Sequence, residues 1–159
     1  MDLATIIMGI VFISAGVIPI ALSVASRNKA KKQLTVSLNG YAEQNNCTIE
    51  QHEVCGNYII GIDKNKGHLF FELRKENKII QQCLNLATIR ECKALKQCRS
   101  IKDYGHVIDR LALSFMPKNI NDKCPELEFY DSEVNSQLVG ELQSLESWHT
   151  IINKTIASI

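Results

Sequence analysis

The chain lacks the short patterns that announce enzyme chemistry. It has no Gly-x-Ser-x-Gly elbow and no glycine-rich loop leading into a helix, the usual settings for an activated serine or a cradled phosphate. Ser26-Arg27-Asn28-Lys29 matches Ser-x-x-Lys only formally, without companion motifs. Cysteine pairs at the zinc-type spacing of two to four residues are absent too, although His52 lies between Cys47 and Cys55. Cys92/Cys98 and Cys47/Cys55 are the nearest cysteine pairs, and the four histidines (His52, His68, His106, His149) are well separated. Glu126 and Glu128 fall on one face of a predicted strand, the pattern of an ordinary solvated face. No catalytic residue, metal site or cofactor is expected.

Neither sign of charge is in excess. Eighteen basic residues face seventeen acidic ones, and residues 33–159 hold 14 basic and 16 acidic, a net of −2. Such a balance gives no general footprint for a phosphate backbone, which excludes nucleic acid as an expected partner. Low-complexity tracts and internal repeats are also missing.

What is present begins with an uncharged run from Leu3 to Ala25, followed at once by Arg27, Lys29, Lys31 and Lys32. As a helix, 23 residues at about 1.5 Å each reach roughly 34 Å, enough to cross a hydrocarbon core of about 30 Å. The early charge is the acid Asp2, and the run exceeds the usual signal-peptide core, so an uncleaved anchor is predicted. Small-x-small triplets at Ala21–Ala25 keep processing open as an alternative. The basic cluster on the carboxyl side places the amino terminus outside and the remainder in the cytoplasm, at the inner membrane. Residues 1–26 are thus read as a transmembrane anchor, 27–46 as a basic stretch with a short helix, and 47–159 as one β-rich domain. Six cysteines in a reducing compartment are expected as mostly buried free thiols.

Within the domain, Tyr58, Ile60 and Ile62 alternate, as do Leu69, Phe71 and Leu73, around the turn Asp63-Lys64-Asn65-Lys66-Gly67. That is a hairpin signal. Further strands are predicted over 79–86, 88–95, 107–116 and 126–130. Leu138, Leu142, Leu145, Ile152, Ile156 and Ile159 then recur at helical spacing, with Trp148 and Ile151 widening the stripe. The predicted fold class is α+β: one transmembrane helix, then a small antiparallel curled sheet or open barrel of six or seven strands, closed by an amphipathic helix.

This order, with Trp148 in the closing segment Leu145-Glu146-Ser147-Trp148-His149-Thr150-Ile151-Ile152, resembles the pleckstrin-homology-like (PH-like) superfold over roughly residues 47–157. Tyr58–Asp63 with Leu69–Phe71, and Leu127–Asp131, also look like segments of small single-pass bacterial membrane proteins. The resemblance implies a non-catalytic interaction or scaffold role, with Trp148 in the core. The expected partners are the membrane and another membrane or membrane-associated protein. A lipid or small-ligand sensor with a pocket in the curled sheet is the alternative, and an enzyme with an assembled Cys/His site a more distant one. Candidate contact residues are the hairpin tip (Lys64, Lys66, His68) and the run Arg90, Lys93, Lys96, Arg99 and Lys102. The membrane-proximal cations are Arg27, Lys29, Lys31 and Lys32.

Overall fold

Two strands leave no face for water: all six residues of Tyr58–Asp63 are buried, as are the middle five of His68–Lys75. A strand with a single buried face alternates apolar and polar side chains, so burial on both faces requires a layer on each side. The computed structural model describes residues 28–75, 78–101, 105–135 and 137–159, and supplies both layers. Strands β1 (Gln51–Cys55), β2 (Tyr58–Asp63), β3 (His68–Lys75) and β4 (Lys78–Asn85) form one antiparallel sheet in chain order. A 3-10 turn, Leu86–Thr88, leads into a second antiparallel sheet of β5 (Ile89–Ile101), β6 (Gly105–Pro117) and β7 (Glu126–Asp131). Helix α1 (residues 28–44) precedes the sheets and α2 (Glu141–Ser158) follows them.

The inner layer lies between the sheets. Tyr58, Ile60, Ile62, Leu69, Phe71 and Leu73 meet Leu111, Leu113, Phe115, Leu127 and Phe129 of the second sheet, and Leu145, Trp148 and Ile152 of α2 close the space. Tyr58, Phe71 and Phe129 form an aromatic cluster with centroids 4.7–5.8 Å apart. The outer layer is α1. Its Leu34, Leu38 and Ala42 pack on Ile59 and Phe70, the outward residues of β2 and β3.

Gly61 makes this second layer possible. A Cβ there would sit 2.9 Å from Ile49 Cγ2 and 3.0 Å from Leu38 Cδ2, so the bare backbone is what lets α1 lie close. Gly61→Val is expected to lower stability by about 1–3 kcal/mol through overpacking. Gly40, in α1 itself, has nothing within 4 Å of a built Cβ, and Gly40→Ala is expected to raise stability by up to about 1 kcal/mol through helix propensity. Urea denaturation of the two variants measures the contrast.

The described residues do not support the predicted membrane anchor. Among the described residues no helix is long and apolar enough to cross a membrane, and the expected span at 1–26, with Arg27, lies outside the described residues. The described part of α1, residues 28–44, spends its apolar stripe on β2 and β3. No described element therefore carries the single-pass, inner-membrane reading, with its outside amino terminus and cytoplasmic domain. The single curled sheet is corrected as well, since the strands divide into two sheets of four and three. Strand β1 is additional to those predicted, β5 runs on to Ile101, and α2 starts at Glu141, after Gly140, rather than at Leu138.

Candidate functional site

On α1, Lys29, Lys32, Gln33, Val36 and Ser37 follow steps of three and four, which aligns them along the helix beside its buried stripe. With Arg74 of β3 they line an open groove of about 540 Å³. Val36 is 64 % exposed on its wall. Ile79, 60 % exposed, stands opposite Arg74 in the β3–β4 ladder and shares its face of the sheet.

A buried carboxylate holds the groove together. Glu72 is fully buried; its Oε2 accepts from Ser37 Oγ at 2.6 Å and from Gln81 Nε2 at 2.9 Å, and its Oε1 from Arg74 Nε at 3.1 Å. One side chain thereby ties α1 to β3 and β4, and each of its partners is fixed in direction. Arg74 spends its charge on Glu72. Among the described residues, Lys29 and Lys32 form no ion pair, which leaves the groove cationic along its helical wall.

The hairpin tip read from the sequence has a structural role. Asp63 is buried and accepts from Thr48 N at 2.9 Å and Lys66 N at 2.9 Å. Burial alone would raise its carboxyl, but these backbone donors and the Lys66 charge outweigh burial and hold it below the usual range. Gly67, at φ +65°, closes the turn in a conformation that disfavours side chains. Lys66 Nζ donates to the Asn46 carbonyl, His68 Nδ1 lies 2.8 Å from the Lys66 carbonyl, and Lys64 lines a separate groove with Lys154 and Ser158. Because the folded-state carboxyl titrates lower than the unfolded one, Asp63 stabilises the fold above about pH 4, and the contribution disappears as pH falls below that. Asp63→Ala is expected to cost about 2 kcal/mol at pH 7, by stranding two backbone donors, and progressively less below pH 4. Denaturation curves of both proteins from pH 7 to 3 measure it.

Three of the β5 cations are committed to neighbouring carboxylates. Lys93 pairs with Glu91 at 3.6 Å, Lys96 with Glu146 of α2 at 2.6 Å, and Arg99 with Asp109 of β6 at 3.1 Å. Arg90 reaches Met116 Sδ at 3.9 Å, and Lys102 lies outside the described residues. Lys31 lines a third groove, with Leu34, Val54, Cys55 and Val139. Glu126 and Glu128 are both held by Arg110, at 3.1 and 3.6 Å, and Glu128 also by Lys75. Carboxylates committed to cations in this way are surface ion pairs rather than an acid–base couple.

Four of the six thiols are equally quiet. Cys47 and Cys92 are buried, Cys55 and Cys83 half-buried, and Cys98 and Cys124 exposed. Burial pushes the Cys92 thiol up to about 12, with the nearby Glu91 charge adding to it. Cys47, Cys55 and Cys83 are also raised, chiefly by burial, which leaves little thiolate at neutral pH. Among the described residues no three of His, Cys, Asp and Glu come together as a metal site. Between the sheets the space is taken by packed side chains, and the crevice beside Asn57, Leu73 and Tyr130 has essentially no open volume.

The sequence pointed to Lys29 and Lys32 but not to the wall they share with Val36, Ser37 and Arg74. The available signal was the 29/32/33/36/37 spacing, together with an acid, Glu72, inside the apolar run Leu69–Leu73. Compared with family models, curated proteins and solved structures, the chain matches none.

Proposed function

We propose that this chain is a non-catalytic interaction module of PH-like architecture, and that it receives a protein partner in the groove between α1 and the β3–β4 hairpin. The carrying observation is that groove: about 540 Å³, walled by Lys29, Lys32 and Val36 and floored by Arg74 that Glu72 holds in place. An exposed apolar wall beside cations that form no ion pair among the described residues is the composition of a contact surface. Four strands, then three, then a closing helix with Trp148 in the core support the PH-like reading. Against catalysis stand ion-paired carboxylates and buried thiols of raised pKa.

The test places a photo-crosslinking residue at Val36 in the full chain, with Ile120, 93 % exposed on the β6–β7 loop, as the control position. The expected result is one polypeptide joined through Val36 and not through Ile120, which then binds the purified chain directly. Lys29→Glu with Lys32→Glu should weaken that binding about tenfold or more. Equal capture at both positions, or binding indifferent to the charge reversal, would remove the groove from the account.

A further inference from the structure

The two sheets treat their outer strands differently. Beside β5, Asn153 of α2 takes both backbone groups of Cys92: the Cys92 N–H donates to Asn153 Oδ1 at 3.0 Å, and Asn153 Nδ2 donates to the Cys92 carbonyl at 2.9 Å. The amide side chain stands in for a neighbouring strand. At the outer edge of the four-stranded sheet, β4 has β3 on one side and, among the described residues, no strand on the other. Eight residues long, with Ile79 60 % and Ile80 37 % exposed, β4 is an uncovered apolar edge.

The backbone geometry of that edge follows from Arg74. Its N–H donates to the Asn57 carbonyl at 2.9 Å and its carbonyl accepts from Asn57 Nδ2 at 2.9 Å, so both groups point toward β2. Arg74 faces Ile79 in the ladder. The pair is therefore of the non-hydrogen-bonded kind, and the Ile79 N–H and carbonyl point away from β3. By alternation the same holds for Gln81 and Cys83. Three residues thus present ladder groups at a spacing that another strand would meet.

Resting on the groove reading above, we propose that the partner enters as an extended acidic peptide segment that adds to β4 as a fifth strand. Main-chain bonds to Ile79, Gln81 and Cys83 would fix its register. Its acidic side chains, on the α1 side, would meet Lys29 and Lys32, and its apolar ones, on the opposite face of the sheet, the exposed Ile80. Charge selects this occupant. Lys78 begins the strand, Lys29 and Lys32 form no ion pair among the described residues, and β4 (Lys78–Asn85) contains no carboxylate. A second copy pairing through its own β4 would bring another Lys78 and, from that strand, no carboxylate to meet the cations.

The probe is a capped heptapeptide alternating glutamate with valine, titrated into the purified full chain, alongside a version with lysine for glutamate. Three readouts separate the two levels of the account. The acidic peptide is expected to bind and the basic one not. Amide hydrogen exchange of Ile79, Gln81 and Cys83 in the unaltered chain should slow on binding. Ile79→Pro, which removes an outward N–H that β3 does not use, should weaken binding by about tenfold, and Ile79→Ala by less. Should Lys29→Glu with Lys32→Glu abolish binding while Ile79→Pro and the three amides are unaffected, the cationic groove stands and strand addition is overturned. Failure of the acidic peptide to bind, or a dimer formed through β4 in its absence, overturns the proposal as well. The exchange measurement needs no variant, so a Pro-containing chain that fails to fold does not block the test.

Discussion

A Trp148→Ala chain is expected to lose about 3–5 kcal/mol of folding stability, a large share of the roughly 5–15 kcal/mol that holds a domain together. Trp148 is 1 % exposed and sits where α2 closes the space between the sheets. Truncation leaves a cavity bounded by β-strands that cannot collapse around it without breaking their ladders. It also removes the donor to Glu53 Oε2, 2.6 Å from the indole Nε1, so a half-buried carboxylate of β1 loses its partner. Trp148→Phe separates the two effects: most of the volume stays, and the loss is expected near 1–2 kcal/mol, the cost of the missing hydrogen bond. Urea midpoints with unchanged slopes measure both. A loss under about 1 kcal/mol for the alanine variant would take the ring out of the core.

Leu38→Ala is expected to cost about 2–5 kcal/mol as well, but with a local signature. Leu38 is 1 % exposed and belongs to the outer layer, packed with Ile59 and Phe70 rather than with the aromatic cluster inside. Loosening α1 leaves the inner core intact, so amide exchange should rise through residues 28–44 and at β2 and β3 while β6 and β7 keep their protection. The variant also disturbs Ser37, and with it the Glu72 network that orients Arg74. Binding in the groove should therefore weaken along with the helix. Uniform loss of protection across both sheets would show instead that the two layers unfold as one unit.

The hairpin of β2 and β3 was legible because its signals are local: alternating Tyr58, Ile60 and Ile62, alternating Leu69, Phe71 and Leu73, and a turn of polar residues ending in Gly67. The same segments also carried a signal that alternation hides. Ile59 and Phe70 occupy the face that a half-exposed hairpin gives to polar residues, and they announce a second covering layer. Strand β1 escaped because Gln51–Cys55 is half exposed and offers Val54 as its one aliphatic residue; its place comes from pairing with β2, not from its own composition. The closing helix starts three residues later than its apolar spacing indicates. Leu138 and Val139 are exposed, and the stripe meets the core only from Leu142 onward, where Leu145, Trp148 and Ile152 are buried and Leu142 and Ile156 pack against them.

The groove was illegible for a physical reason. Its helical wall comes from residues 29–37 and its floor from Arg74, forty residues away in the chain, brought together by a buried acid whose three partners lie on three elements. No window of sequence contains that arrangement. The β5 cations show the converse. They look like a patch along the chain, yet three of them are taken by Glu91, Glu146 and Asp109, two of which lie on other elements.

Calorimetric titration of the Val36-crosslinked partner into the purified full chain, and into the Lys29→Glu, Lys32→Glu variant, tests the binding face most directly. A saturable one-to-one interaction weakened about tenfold or more by the charge reversal, with an unchanged unfolding midpoint, is the predicted result. Equal affinity for both chains would place the binding face elsewhere on the molecule.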